Sequence, residues 1–449
     1  MHLSYDFSTM NPSLRWPSAL LAALLLTVMS SPAAAQDAPL SARESDPIDM
    51  GWMQGSPPPP DKVLSAVDRS FFEFPALRYS VAHMRQFLPT VNVGRGLGDP
   101  VPFEVELDAG IDSVTFVPWD ASEPMTWEES LWANYTDGIL VLHRGRIVYE
   151  RYFGALTPGG KHAAMSVTKS LTGLLAAALA VEGTLDPDKP VTDYVPELEG
   201  SAFGDVTVRQ VMDMTTNLDY SEDYADPDAE IWEYAEATDP SAAPSDGPVG
   251  TLAYLQTIQA AGPPGEAFAY QTPNADALGW IVTRASGQPL NELLSDRIWS
   301  RIGMEQSGYY QVDAVGTPAA GGGFSGGLRD MGRLGELIRN EGMWRGEQVL
   351  PRLAISDIRR GGSVEDFARS DHPALDGWSY RDLWWITNNA NGAFAARGVH
   401  GQTVYVDPTA EMVIVRFASH PVAANAANDP TSLPAYQAVA DYLMAHDSR

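Results

Sequence analysis

Residues 163–183 read AAMSVTKSLTGLLAAALAVEG. This pattern predicts one helix that begins near Ser166 and is apolar on every side beyond its first turn. A helix that is apolar all round is buried, and Gly183 is a natural end because glycine takes the left-handed position after a helix without a Cβ clash. We therefore expect the helix to run through the middle of a domain, with only its N-terminus at a cleft.

The first turn of this helix carries a hydroxyl and an amine, those of Ser166 and Lys169. Residues three apart share a helix face, so the two side chains can touch. Serine becomes a nucleophile when a base takes its proton, and a lysine can be that base once burial disfavours its charged form. The helix N-terminus also directs free N–H groups at an oxyanion forming over Ser166. The alternative, a capping serine followed by a solvated lysine, fits poorly with the apolar helix that follows.

The composition limits the classes of function. A chain of 449 residues with 44% hydrophobic content can bury one large core or two moderate ones. The net charge of −29 argues against nucleic acid and anionic membrane surfaces, because both require positive patches. The absence of cysteine excludes disulfides and thiol catalysis, and the eight histidines include no His-x-His or His-Glu-x-x-His pair. We therefore expect no metal site and no cofactor.

The first 35 residues have the pattern of a secretory signal peptide. Arg15 precedes an apolar run over residues 19–29, and residues 30–35 then offer an Ala-x-Ala cleavage site. The run is too short for a membrane span. We expect cleavage after Ala35, a periplasmic or secreted protein, and no stable membrane insertion of the mature chain.

The remaining chain divides into an extension and a main domain. Residues 36–125 include the proline run 57–60 and short apolar patches, which predicts an N-terminal extension lying on the main domain. Residues 126–449 form the main domain in this interpretation, and about 190–330 of it is rich in helix and loop patterns.

Strand patterns stand at both ends of the main domain. A hairpin is predicted over residues 138–152, and further strands lie between residues 383 and 417, before a closing helix over 434–445. Strands at both ends with helices between them predict an α+β fold: an antiparallel β-sheet flanked by helices, with an inserted all-α region.

Two tyrosines in the helical region stand close to loop or helix boundaries. Tyr224 lies in an acidic aromatic loop, residues 218–234, and Tyr270 directly precedes a helix predicted from Thr272 to Ile281. Taken alone, tyrosines in such places are more often packing residues than functional ones.

Four blocks of sequence together resemble the serine β-lactamase and penicillin-recognising superfamily. They are most similar to its class C type, and within it to 6-aminohexanoate-dimer hydrolases and related esterases. The blocks, in chain order, are residues 165–170 (MSVTKS), 270–280 (YQTPNADALGW), 322–331 (GGFSGGLRDM) and 398–408 (GVHGQTVYVDP). The resemblance extends over about residues 126–445 and implies the same fold as the pattern of strands and helices.

The resemblance also implies a role for individual residues. Ser166 would attack a carbonyl carbon and become acylated, Lys169 would take or relay its proton, and Tyr270 would protonate the leaving group and then activate water. Acyl transfer needs such a nucleophile, base and acid. Tyr224 is a candidate for recognising an amide substrate, by analogy with a loop tyrosine of the nylon-oligomer enzymes.

The sequence departs from the superfamily pattern in two places. The Tyr-x-Asn triplet of the superfamily reads Tyr270-Gln271-Thr272 here. An asparagine, Asn274, stands two positions further along the chain, and we keep it only as a candidate substrate contact. The Lys-Thr-Gly triplet, whose lysine binds a β-lactam carboxylate, is absent. Two registers of the last block make the N–H of Val399 or that of Thr403 the second oxyanion donor. We prefer Val399, and the neighbouring His400 is a candidate oxyanion or substrate contact.

We therefore expect an exported serine hydrolase that cleaves an ester or amide bond of a small molecule through an acyl-enzyme on Ser166. One alternative is a D-aminopeptidase or a weak β-lactamase. An alternative of another class is a non-catalytic cell-envelope binding module, which would form no covalent adduct at Ser166.

Overall fold

The computed structural model describes residues 38–240 and 247–447. Of two compact units, Leu40–Arg449 is the larger, and Met1–Pro39 is almost entirely outside the described residues. The predicted signal peptide, residues 1–35, also lies outside them. The boundary predicted between residues 125 and 126 stays a prediction.

The chain alternates short and long elements. Its helices are α1 (Leu77–Ser80), α2 (Trp127–Ala133), α3 (Val167–Val181), α4 (Val208–Met212), α5 (Glu230–Thr238), α6 (Thr251–Leu255), α7 (Thr272–Ser286), α8 (Leu290–Leu294), α9 (Leu328–Arg339), α10 (Arg352–Arg360), α11 (Val364–Phe367) and α12 (Asp429–Asp447). Its strands are β1 (Thr90–Val93), β2 (Glu104–Val105), β3 (Thr115–Phe116), β4 (Met125–Thr126), β5 (Thr136–His143), β6 (Arg146–Tyr152), β7 (His162–Ala163), β8 (Gly308–Gln311), β9 (Phe324–Gly326), β10 (Met343–Trp344), β11 (Glu347–Gln348), β12 (Ser379–Arg381), β13 (Trp384–Ile386), β14 (Phe394–Gly398), β15 (Gln402–Asp407) and β16 (Met412–Ala418).

The main sheet has eight strands in the order β12-β13-β14-β15-β16-β5-β6-β2. All neighbours are antiparallel except β2 and β6. Val141 of β5 faces Ile414 of β16, so strands from the two ends of the main domain meet at its centre. The predicted α+β class, an antiparallel sheet flanked by helices, is confirmed.

A second, four-stranded sheet has the order β1-β8-β9-β7. Its strands β8 and β9 lie inside residues 190–330, so this region is not all-α as predicted. The sheet pairs Ala163 of β7 with Ser325 of β9. It thereby places the segment before Ser166 beside the glycine-dense segment around residue 323.

Helix α3 is buried over nearly its whole length, as predicted: residues 167–179 are all buried. Its Gly173 has no room for a side chain, because a Cβ there would lie 1.9 Å from the Asp382 carbonyl oxygen. Ser170 Oγ donates a hydrogen bond to the Leu383 carbonyl at 2.6 Å, and Trp384 Nε1 donates one to the Ser170 carbonyl at 3.0 Å. The turn between β12 and β13 therefore fixes the helix in position.

The segment from residue 40 to residue 88 packs on the domain through apolar and polar contacts. Phe71 and Leu77 belong to a buried cluster that also contains Met165. Arg78 is buried, and its guanidinium donates to Asp137 Oδ1 of β5 at 3.2 Å and to Ser419 Oγ at 3.1 Å. This segment therefore supports the backbone next to Ser166.

None of the helices within residues 38–240 and 247–447 combines the length and the apolar character needed to cross a membrane.

Candidate active site

Ser166 stands at the N-terminus of α3, directly after a residue with unusual backbone geometry. Met165 has φ of +46°, in the left-handed region that non-glycine residues seldom occupy. The Ser166 hydroxyl makes no capping hydrogen bond to the helix, and the residue is 7% exposed. The Ser166 hydroxyl at this strained turn is therefore not engaged in capping the helix.

Lys169 reaches back along α3 to that hydroxyl. Its Nζ lies 2.9 Å from Ser166 Oγ and 2.7 Å from the carbonyl oxygen of Gly321. The residue is only 1% exposed. The spacing of the two residues in the sequence predicts this contact, and the solvated lysine of the alternative interpretation is absent.

Tyr270 converges on the same pair from the segment before α7. Lys169 Nζ lies 5.1 Å from the centre of its ring. Burial raises the pKa of the Tyr270 phenol, while the neighbouring Lys169 and a hydrogen bond with Ser166 lower it. The structure therefore brings the three residues together.

The end of β14 lies against the backbone of the Ser166 turn. A Cβ on Gly398 would lie 2.8 Å from Ser166 N and 2.9 Å from the Ala164 carbonyl oxygen. Thr403 instead pairs with Arg397 and Arg416 inside the sheet. The segment Gly398–Val399 therefore lies beside Ser166. Of the two possible oxyanion donors, this geometry favours Val399 over Thr403.

His400 supports the turn that follows Val399. Its Nδ1 donates to the His420 carbonyl at 2.7 Å, and its backbone N–H donates to the Ala423 carbonyl at 2.9 Å. Burial lowers its pKa to about 4, so the ring is neutral at neutral pH. These bonds hold the loop at residues 420–423, and the predicted role of His400 at the site stays a prediction.

Tyr224 is near Tyr270, and both are influenced by Glu222. The Tyr224 hydroxyl donates to Glu222 Oε1 at 2.8 Å, and burial, followed by the charge of Glu222, raises its pKa. Glu222 also accepts hydrogen bonds from the backbone N–H and the hydroxyl of Thr272, at the start of α7. The sequence does not distinguish Glu222 from the other carboxylates of its acidic loop, so its position at this site was not predicted.

Asn274 lies in the protein interior. It is fully buried, its Oδ1 accepts the Thr216 hydroxyl at 2.7 Å, and its Nδ2 donates to the Gln271 carbonyl at 3.3 Å. The side chain joins α7 to a neighbouring loop, and its predicted contact with substrate stays a prediction.

Aromatic side chains form a wall beside Tyr270. The Tyr270 and Trp385 ring centres lie 5.3 Å apart. The guanidinium of Arg397 stacks over Trp385, 5.1 Å from its centre, and forms an ion pair with Asp429. Neither Trp385 nor Arg397 was predicted at the site, because their position depends on how β13 and β14 pair.

Within the part of the chain that the structure describes, no group of three or more histidine, aspartate or glutamate side chains could hold a metal ion.

The fold and this arrangement agree with a comparison of the whole chain with known families. The family model for Beta-lactamase matches residues 127–436. The chain therefore belongs to the beta-lactamase family, and it is a serine hydrolase of the β-lactamase and transpeptidase type.

Particular relatives are similar over most of the chain. The 6-aminohexanoate-dimer hydrolase of Paenarthrobacter ureafaciens is 36% identical over 358 residues, which cover 78% of this chain and 88% of the relative. Among solved structures, one described as a candidate 6-aminohexanoate-dimer hydrolase of Bacillus anthracis matches with a TM-score of 0.77 and 32% identity. The match covers 87% of this chain and 99% of the Bacillus anthracis chain. EstCE1, a hydrolase with promiscuous acyltransferase activity, has a TM-score of 0.56 at 17% identity, covering 70% and 96%, and shows the fold alone. The predicted resemblance is confirmed.

Proposed function

We propose that this protein is an exported hydrolase that cleaves an ester or amide bond of a small molecule through an acyl-enzyme on Ser166. The observation that carries the proposal is the 2.9 Å contact between Lys169 Nζ and Ser166 Oγ in a buried site. A nucleophile next to a base, with an acid within reach of both, is the arrangement that acyl transfer requires.

In the proposed acylation step, Lys169 takes the proton of Ser166 as Oγ attacks the substrate carbonyl carbon. The backbone N–H groups of Ser166 and Val399 stabilise the oxyanion, and the closeness of Gly398 to Ser166 N supports this assignment. Tyr270 gives its proton to the leaving alcohol or amine as the scissile bond breaks. The acyl group then remains on Ser166 as an ester.

In the proposed deacylation step, Tyr270 accepts a proton from a water molecule that attacks the ester carbonyl. The bond to Ser166 Oγ breaks, the serine regains its proton, and a carboxylic acid leaves. Lys169 lies beside Tyr270 and favours the phenolate that forms between the two steps.

Two observations guide the choice of substrate class: the similarity of the chain to known hydrolases and the position of Tyr224. Similarity to 6-aminohexanoate-dimer hydrolases favours a linear amide. We assign Tyr224 to substrate recognition in this scheme, because its hydroxyl is held by Glu222 and lies near Tyr270.

The alternative of a D-aminopeptidase or weak β-lactamase is less well supported. The cation on the strand beside Ser166 is Arg397, which is buried and already paired with Asp429. A neutralised guanidinium is a poor partner for the carboxylate of a β-lactam. Turnover of nitrocefin, or of D-amino acid amides, at the rate found for linear amides would favour this alternative.

The proposal of export rests on the signal-like N-terminus alone. To test it, the protein is recovered from the periplasm or medium of a bacterial host and its N-terminus is sequenced. We expect the first residue to be Gln36.

The central test is a comparison of the wild type with Ser166→Ala and a matched control, Ser432→Ala, a buried serine on α12. We expect Ser166→Ala to lower turnover of p-nitrophenyl acetate and of a 6-aminohexanoate dimer by at least about 10³-fold. Mass spectrometry should find a fluorophosphonate adduct at Ser166 in the wild type and in Ser432→Ala only. Undiminished turnover in Ser166→Ala, or a wild type without an adduct, would refute the proposal, and the latter would favour the binding module.

A further inference from the structure

Lys169 makes a contact that the steps above leave unused. Its Nζ donates to the carbonyl oxygen of Gly321 at 2.7 Å, in addition to its contact with Ser166 Oγ. A neutral amine has two N–H groups and one lone pair, and the lone pair has to face Ser166 if the amine is to take its proton. Because a carbonyl oxygen can only accept, Gly321 fixes one N–H and so limits where the lone pair points.

Gly321 is held in turn by Asp276 of α7. Oδ1 of Asp276 accepts the backbone N–H of Gly321 at 2.9 Å, and its Oδ2 accepts the hydroxyl of Tyr234 at 2.5 Å. Residue 321 has no room for a side chain, since a Cβ would lie 2.7 Å from Thr272 Cγ2 and 2.8 Å from Asp276 Oδ2. The backbone of Gly321 therefore lies directly on the carboxyl group.

Asp276 has three hydrogen-bond partners. The Tyr234 hydroxyl and the backbone N–H groups of Gly321 and Ala320 all donate to it. The pKa of Asp276 is raised, because the effect of burial outweighs the lowering by these hydrogen bonds and by the neighbouring Lys169. The two oxygens of this side chain therefore connect the backbone of residues 320 and 321 to Tyr234.

We propose that Asp276 is a positioning residue for the hydrolytic reaction: by fixing the backbone of Gly321, it aims the amine of Lys169 at Ser166 Oγ. The inference rests on the proposed function of Ser166 and Lys169. Asp276 itself is separated from the reacting atoms by Gly321 and Lys169, so it affects the rate of proton transfer and leaves substrate binding unchanged.

The first test is Asp276→Asn in the full chain, with p-nitrophenyl acetate as substrate. We expect kcat to fall about 10- to 100-fold, since small displacements of a catalytic group have effects of this size, and KM to stay within about twofold of the wild type. The matched control is Asp330→Asn. Asp330 is also a buried aspartate on a helix, and it accepts the backbone N–H groups of Glu305 and Gln306 at 2.7 and 3.0 Å, away from the site.

In the control we expect a loss of thermal stability with kcat unchanged. An Asp276→Asn variant that is folded and keeps the wild-type kcat would overturn the inference. So would an equal loss of kcat in Asp330→Asn, because it would show that any buried carboxylate has this effect.

A second variant tests the same inference if the Asp276→Asn protein does not fold. Gly321→Ala retains the carboxylate but forces the residue 321 backbone away from it, and we expect it to lower kcat by a similar factor. Wild-type kcat in a folded Gly321→Ala variant would contradict the role of this backbone.

A double-variant comparison separates positioning from general support of the fold. In a Lys169→Ala background, Asp276→Asn should change the residual acylation rate by less than about twofold, since residues that act through one another are not additive. The full 10- to 100-fold loss in that background would overturn the inference. Failure of the wild type to form an adduct at Ser166 would instead refute the proposed function.

Discussion

Gly398, at the end of β14, lies against the backbone of the Ser166 turn. The atoms that an added Cβ would meet, Ser166 N and the Ala164 carbonyl oxygen, are backbone atoms that cannot rotate away. The space that a substrate oxyanion needs beside Ser166 therefore depends on the missing side chain at residue 398.

Replacing Gly398 by alanine should mainly damage catalysis. The Cβ would separate the end of β14 from Ser166, and loss of one oxyanion donor lowers kcat by about 10²- to 10³-fold. Steady-state kinetics on p-nitrophenyl acetate checks this, with Gly159→Ala as control, because a Cβ at Gly159 would meet no atom within 4 Å. Equal kcat in the two variants would contradict the expected geometry.

The sequence predicted contacts between residues that lie close together along the chain. Ser166 and Lys169 lie one helical turn apart, so their contact follows from helix geometry. The Gly321 carbonyl and Glu222 were not predicted, because each reaches the site through long-range contacts that no local pattern encodes. The hydrogen bond between Asn274 and Thr216 was not predicted for the same reason, since Thr216 lies in another loop.

Among the elements, α3 depends on close contact with the turn between β12 and β13. Alanine favours a helix interior over glycine by roughly 1 kcal/mol. At Gly173, however, the added Cβ would lie 1.9 Å from the Asp382 carbonyl oxygen and 2.7 Å from its carbon. The steric clash therefore outweighs the helix propensity.

We expect Gly173→Ala to lower the free energy of unfolding by about 1–3 kcal/mol, the usual cost of overpacking a buried contact. Urea denaturation followed by circular dichroism measures this. The corresponding change at Gly200, where a Cβ would meet no atom within 4 Å, should be close to neutral. A Gly173→Ala protein more stable than the wild type would show that propensity, not packing, decides at this position.

Long elements were predicted better than short ones. The long apolar pattern of α3 and the hairpin of β5 and β6 are encoded in their own residues. Strands β8 and β9 have only a few residues each and were assigned to a helical region. They become strands because β1, from the N-terminal extension, and β7, just before Ser166, pair with them.

For the whole molecule, Arg78 is a buried polar link between the N-terminal extension and the main sheet. Its guanidinium contacts Ser45 Oγ at 3.1 Å as well as Asp137 of β5. Asp137 Oδ2 in turn lies 3.2 Å from His162 Nε2, on the strand that leads to Ser166. The extension is thus joined to the sheet and to the active-site segment by one buried network.

Arg78→Met should lower the free energy of unfolding by about 3 kcal/mol, because it leaves the buried Asp137 carboxylate without its arginine partner. The comparison is Arg146→Met, which removes a half-exposed partner of Glu104 and Glu106 and should cost less than about 1 kcal/mol. Chemical denaturation of both variants checks the difference. Equal losses would mean that the buried network contributes no more than a surface pair.

The pairing of β5 with β16 also constrains the order of events during synthesis. Residues 136–143 leave the ribosome well before their neighbours in the sheet, residues 412–418, are made. Distant pairing of this kind makes folding slow. Ser166 and Lys169 are therefore translated long before β14 supplies the backbone beside them, and we expect a nascent chain that stops short of residue 398 to be inactive.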